Sequence, residues 1–97
     1  MPTETDEIIE TIAAELQIPK SQLLEQSLKT FLNRQLRQCE ADILQITGEY
    51  GVSSVDDMET RYREGTLEEA DSWTDLQRLD HLEYRRDRLM EWLHELG

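Results

Sequence analysis

LEQSLKTFLNRQLRQCEADILQITGEY, residues 24–50, decides the fold. Within it Leu24, Leu28, Leu32, Leu36, Cys39, Ile43, Ile46 and Tyr50 recur every three or four positions, the spacing of one face of an α-helix. At 1.5 Å rise per residue that face is roughly 40 Å long. A lone helix has nothing against which to bury so long a seam. A second run, Trp73, Leu76, Leu79, Leu82, Leu89, Leu93 and Leu96, repeats the spacing. The two segments are therefore expected to fold back on each other as an antiparallel hairpin.

Outward from this pair, the punctuation is sparse. Thr3 or Thr5 can cap a first short helix whose opening turn carries Glu4, Asp6 and Glu7, the charge sign a helix N-terminus favours. Its inward face would be Ile8, Ile9, Ile12, Ala13 and Leu16. Pro19 disfavours helical geometry at Ile18 and suits the start of the next helix, so a tight break falls at Gln17 to Pro19. Gly51, just past the last periodic residue, is the better left-handed cap than Gly48. Ser53 or Ser54, with Asp56 or Asp57 three residues on, opens a short third helix with Val55, Met58 and Tyr62 on one face and Gly65 at its end. Thr66 to Ser72 is acidic and aperiodic, the expected turn-round loop before a last helix from Trp73. The expectation is an all-α single domain: an N-terminal helix pair with a dimerising segment over 6–50, a short helix and loop over 51–72, and an acidic C-terminal helix over 73–97.

The chain carries 22 acidic residues against 10 Lys and Arg, a net charge of −12 over 97 residues. Nine acids and four bases through Tyr50 give −5, and thirteen acids and six bases after it give −7, so the field covers both halves. It repels phosphate backbones and anionic lipid surfaces and draws in basic proteins. A single core is marginal at this size, so pairing into a homodimer is expected. One cysteine forms no intrachain disulfide, and Cys39, on the apolar stripe, reads as a small core residue. There is neither a basic-then-apolar leader nor a run of about 20 apolar residues. A cytoplasmic protein without membrane contact is expected.

Residue types that carry chemistry are scattered. His81 and His94 share no repeating pattern of Cys or carboxylate neighbours, and the Glu-x-x-His signature of di-iron bundles fits once, at Glu91–His94, where such a site wants two copies. The serines sit in capping or surface contexts, and no glycine-rich phosphate loop is present. No catalytic, metal-ligating or cofactor-binding residue is assigned, and neither an enzymatic reaction nor a small-molecule substrate is expected. Among the aromatics of the last helix, Tyr84 and Trp92 fall off the leucine stripe. That helix is either buried on two faces or shows aromatics to a partner. Arg85, Arg86 and Arg88, interleaved with Asp80, Glu83, Asp87 and Glu91, read as a salt-bridged face.

Residues 6–32, DEIIETIAAELQIPKSQLLEQSLKTFL, resemble the two helices of a ribbon-helix-helix unit: a short amphipathic helix, a break, then Lys-Ser and a Leu-Leu pair opening a longer helix that ends in Phe-Leu. The resemblance implies a dimer and kinship with the antitoxins of bacterial and archaeal toxin-antitoxin modules. Where that family places a basic strand that enters the DNA major groove, this chain has Met1 to Thr5 with no Lys or Arg, so direct DNA binding is not expected. The segments EYGVSS (49–54) and LEYRRDRL (82–89) are similar to small helical proteins of the antitoxin-like kind.

Together these readings favour a non-enzymatic acidic binding protein, an antitoxin-like component that neutralises a basic toxin. Leu24, Leu28, Phe31 and Leu32 would hold the dimer, and Tyr84, Leu89 and Trp92 would meet the partner. An acidic DNA mimic that blocks a nucleic-acid-binding protein is the alternative. A purely structural helical dimer and a helical metal enzyme stand behind it.

Overall fold

Two antiparallel helices of nearly equal length set the shape. The computed structural model describes residues 3–67 and 69–97, with the backbone alone for 69–71. Its elements are α1 (Glu4–Leu16), α2 (Lys20–Tyr50), α3 (Val55–Arg63) and α4 (Glu69–Leu96). The long hairpin implied by the two stripes is present, with one short helix before it and another in its connection. Among the described residues there is no strand. The molecule measures 61 × 25 × 20 Å with a radius of gyration of 19.7 Å, against about 12.5 Å for a compact chain of this length. It is a rod.

At one end, α1 starts where the Asp6 backbone N–H donates to Thr3 Oγ1 at 3.3 Å and the Thr3 N–H donates to the Asp6 carboxylate at 3.2 Å, a reciprocal cap. Of the stretch compared with a DNA-reading strand, Thr3 to Thr5 form this cap and first turn, and Met1 and Pro2 lie outside the described residues. The helix stops at Gln17, whose φ of 58° is left-handed, a conformation uncommon for any residue but glycine. Pro19 then occupies the N-cap of α2 with no side-chain cap and no acid in the first turn. Lys20 puts a cation at the positive end of the helix dipole, and its ion pair with Glu10 at 3.3 Å compensates. The joint between α1 and the hairpin thus rests on few interactions.

The opposite end is closed in several ways. Gly51, at φ 64°, caps α2, and Val52 turns back to donate its N–H to the Thr47 carbonyl at 3.0 Å while its side chain is buried. Ser54 Oγ accepts the Asp57 N–H at 3.1 Å, and the Asp57 carboxylate accepts the Ser53 N–H at 2.9 Å. Glu83 of α4 accepts the Val55 N–H at 2.8 Å, tying the start of α3 to the hairpin. α4 begins at Glu69, earlier than the Trp73 start read from the sequence. Its first turn has no large apolar residue for periodicity to register, yet acidic residue types suit a helix start. The loop assigned to Thr66–Ser72 is correspondingly shorter, Glu68 lying outside the described residues, and Ser72 is buried within the helix.

The core is the seam of Leu32, Cys39, Ile43 and Ile46 from α2 against Leu76, Leu79, Leu82 and Leu89 from α4, closed by Val52, Val55 and Met58. Leu79 and Met58 are fully buried. Cys39 donates its thiol to the Leu82 carbonyl at 3.1 Å. Burial pushes that thiol's pKa up, opposed in part by the positive charges of Arg85 and Arg86, so it stays protonated and serves as a core residue. The Tyr50 hydroxyl donates to the Asp75 carboxylate, a further tie across the hairpin.

Three apolar assignments need correction. Ala13 alone of the expected α1 face is buried and Ile9 is half-buried, whereas Ile8, Ile12 and Leu16 are 52%, 39% and 64% exposed. Leu24 and Leu28, taken as part of the hairpin stripe, are also exposed. Each four-residue step drifts 40° around a straight helix, so the line through Leu24, Leu28 and Phe31 lies about 60° from the line that faces α4. Trp73 is the third: half of it is exposed rather than on the seam.

Candidate interaction surface

Phe31 projects from α2 beside α4, with a concavity on either side of it. On the α4 side is a groove of about 520 Å³ lined by Phe31, Gln35, His81, Tyr84, Arg85, Arg88, Leu89 and Trp92. On the other side is a depression of about 440 Å³ lined by Leu23, Gln26, Ser27, Thr30, Phe31 and Arg34. Phe31 is common to both. In a chain with more than twice as many acids as bases, no Asp or Glu among the described residues lines either hollow. Arg34, Arg85, Arg88 and His81 do.

The helix geometry accounts for this segregation. His81, Arg85, Arg88 and Trp92 step along α4 by four, three and four residues, which places them on one face. Arg88 lies over the Trp92 ring, 4.8 Å from its centroid, and pairs with Glu91 at 2.7 Å, so cation–π attraction and an ion pair both order the rim. Arg86 faces elsewhere, half-buried and paired with Asp87 at 3.2 Å. The basic trio of the sequence is thus two arginines in the groove and one outside it. Charges that alternate along the chain are sorted in space, a signal that a helical wheel of residues 81–92 contains and a linear scan does not.

Tyr84, Leu89 and Trp92 are brought together in the groove. Leu89 is only 4% exposed and belongs to its floor and to the core. Tyr84 and Trp92 are exposed and free to meet a partner, whereas Leu89 offers one only the floor between them. Of the four residues expected to hold a dimer, Leu24, Leu28 and Phe31 are exposed, whereas Leu32, about 100° further round the helix from Phe31, is buried against α4. His81 lines the groove and His94 lies exposed near the end of α4. Among the described residues no three His, Cys, Asp or Glu side chains gather in a way that could hold a metal ion.

The far end of the rod has the opposite electrostatics. Its residues with described side chains, 49–67 and 72–75, contain six acids and two arginines. Here Trp73 leans on Tyr62 with ring centroids 6.0 Å apart at 58°, over a shallow hollow lined by Glu59, Tyr62, Arg63, Trp73 and Leu76. Arg61 is engaged by Asp57 at 3.5 Å. Among the described residues no helix is long and apolar enough to cross a membrane.

A relative in Methanocaldococcus jannaschii, the uncharacterized protein MJ0235, is 29% identical over 75 residues, covering 77% of this chain and 92% of the relative. No solved structure matches the chain. The model of the Uncharacterized protein MJ0235 family matches residues 1–97, and the chain belongs to that family.

Proposed function

We propose that this chain is a non-enzymatic acidic binding protein that acts as a homodimer and neutralises a basic protein partner, in the manner of an antitoxin covering a toxin that acts on nucleic acid. The observation that carries this reading is the half-exposed Trp73, braced by Tyr62, at the end of the rod where the described side chains include six acids and two arginines. A uniform negative field accelerates encounter with a basic surface, and an aromatic anchor set in that field supplies lasting affinity. The resemblance of residues 6–32 to ribbon-helix-helix antitoxins supports the same role.

The test is calorimetric titration of the chain with the product of a small basic gene encoded beside its own. Tight binding is expected, weakened roughly tenfold or more by Trp73→Ala and reduced by raising NaCl from 50 to 500 mM. An absence of binding, or full affinity in Trp73→Ala, overturns the reading. Affinity that ignores Trp73 and collapses with salt is the behaviour of the DNA-mimic alternative.

A further inference from the structure

α1 and the Phe31 groove are complementary in three respects. α1 carries Glu4, Asp6, Glu7, Glu10 and Glu15 and no base, while among the described residues the groove and its adjoining hollow are lined by Arg34, Arg85 and Arg88, the last paired with Glu91 at the rim, and by no acid. α1 shows an uncovered stripe of Ile8, Ile12 and Leu16, and the groove is an apolar trough of Phe31, Tyr84 and Trp92 over Leu89. The stripe from Ile8 to Leu16 and the groove wall from Tyr84 to Trp92 each span eight helical residues, about 12 Å. We propose that α1 of one copy of this chain lies in the Phe31 groove of a second copy, and reciprocally, so that an isologous dimer buries both. The proposal rests on the homodimer of the reading above and not on its basic partner.

The surface area supports this occupant. The chain exposes 7382 Å², whereas a compact monomer of 11.5 kDa exposes about 5,800 Å². The surplus, about 1,600 Å², exceeds the roughly 800 Å² that each partner contributes to a standard interface. A chain's own α1 is held on α2 by buried Ala13 and by the Glu10–Lys20 pair. Phe31 lies eleven residues, about 16 Å, further along α2 than Lys20. A two-fold dimer instead presents α1 of each copy to the groove of the other, and each contact occurs twice. Leu24 and Leu28, exposed between the two elements on α2, are covered in the same event.

The experiment is a charge-swap on the purified full chain, read by sedimentation equilibrium, with helicity followed by circular dichroism. Glu7, Glu15, Arg34 and Arg85 make no ion pair among the described residues, so reversing them breaks none, and circular dichroism reports whether α1 keeps its helix when Glu7 leaves its first turn. The wild type is expected to dimerise. Glu7→Arg with Glu15→Arg, and separately Arg34→Glu with Arg85→Glu, are each expected to raise the dimer dissociation constant roughly tenfold or more. Mixed together, the two double variants are expected to pair with near wild-type affinity, since both contacts of the mixed dimer then join opposite charges. The first double variant moves the net charge from −12 to −8, two units for each reversal, so weakening there contradicts a mere relief of repulsion. Ile12→Asp and Phe31→Asp, both at exposed positions, are expected to give helical monomers. A monomeric wild type, variants that dimerise as tightly as wild type, or a mixture no tighter than its components each overturn the proposal.

Discussion

The two ends of the rod are built from similar residues and finished differently. At the α3 end, Gly51 and Ser54 cap their helices, Glu83 ties α3 to α4, and Val52, Val55 and Met58 close the core. At the α1 end, α2 begins without a side-chain cap, Gln17 sits in a left-handed conformation, and Ile8, Ile12, Leu16, Leu24 and Leu28 face outward. One end covers its own apolar surface apart from Trp73; the other leaves a whole stripe uncovered. An apolar stripe states that a face is to be covered, and only the third dimension says by what.

The sharpest way to break this contrast is to truncate one leucine on each side of it. Leu79→Ala empties a fully buried site and is expected to cost about 2–5 kcal/mol, lowering the thermal midpoint by on the order of 10–20 °C. Leu28→Ala removes a half-exposed side chain and is expected to change the isolated monomer by about 0.5 kcal/mol or less. If a second copy covers Leu28, its cost grows with protein concentration while that of Leu79→Ala does not. Thermal scans of both variants across a hundredfold concentration range check this. Equal, concentration-independent losses would erase the distinction between the two ends.

The legible part of the fold was whatever a period of 3.6 or a cap residue could encode. The hairpin followed from the two stripes, and the Thr3, Gly51 and Ser54 boundaries followed from the local chemistry of orphan N–H and C=O groups. The first turn of α4 was not legible, because it has no large apolar residue to mark a face. Leu24 and Leu28 were misplaced because a four-residue repeat drifts around the helix, so one continuous run in sequence serves two directions. The candidate site was half legible: Tyr84 and Trp92 stood out as aromatics off the stripe. That Arg34 from α2 joins Arg85 and Arg88 around Phe31 depends on how two helices meet, and no single-helix pattern contains it.

A smaller effect separates two glycines at the closed end. Gly51 has φ 64° in open space, so Gly51→Ala meets no clash but must hold an L-residue in a left-handed conformation. It is expected to destabilise by about 1 kcal/mol. Gly48, three residues earlier, lies in the body of α2 with nothing within 4 Å of an added Cβ. Gly48→Ala is expected to stabilise by roughly 0.5–1 kcal/mol. Urea unfolding of the pair should therefore give shifts of opposite sign. A stabilised Gly51→Ala would mean that the turn into α3 is not fixed as described, and with it the closure of that end.

The smallest effect is in acid, where each end loses one carboxylate cap. Hydrogen bonds from the Thr3 backbone and hydroxyl hold Asp6 below the usual carboxylate range, and a bond from the Ser53 backbone N–H does the same for Asp57. For a group whose folded pKa is depressed, the stabilisation is fully present above its unfolded value. It is lost as pH falls through the folded one. Above that window, protonation of the surplus acids on the way down to the sequence pI of about 4.4 relieves repulsion and opposes any loss. Fraying therefore begins only below the ordinary carboxylate range, and it begins at α1, whose cap is backed by one buried alanine, rather than at α3, where buried Val55 and Met58 hold the helix when Asp57 is protonated. Amide resonances of residues 4–16 should lose helical shifts at higher pH than those of residues 55–63. Simultaneous loss at both ends would show that α1 is held as firmly as α3, in the dimer or otherwise.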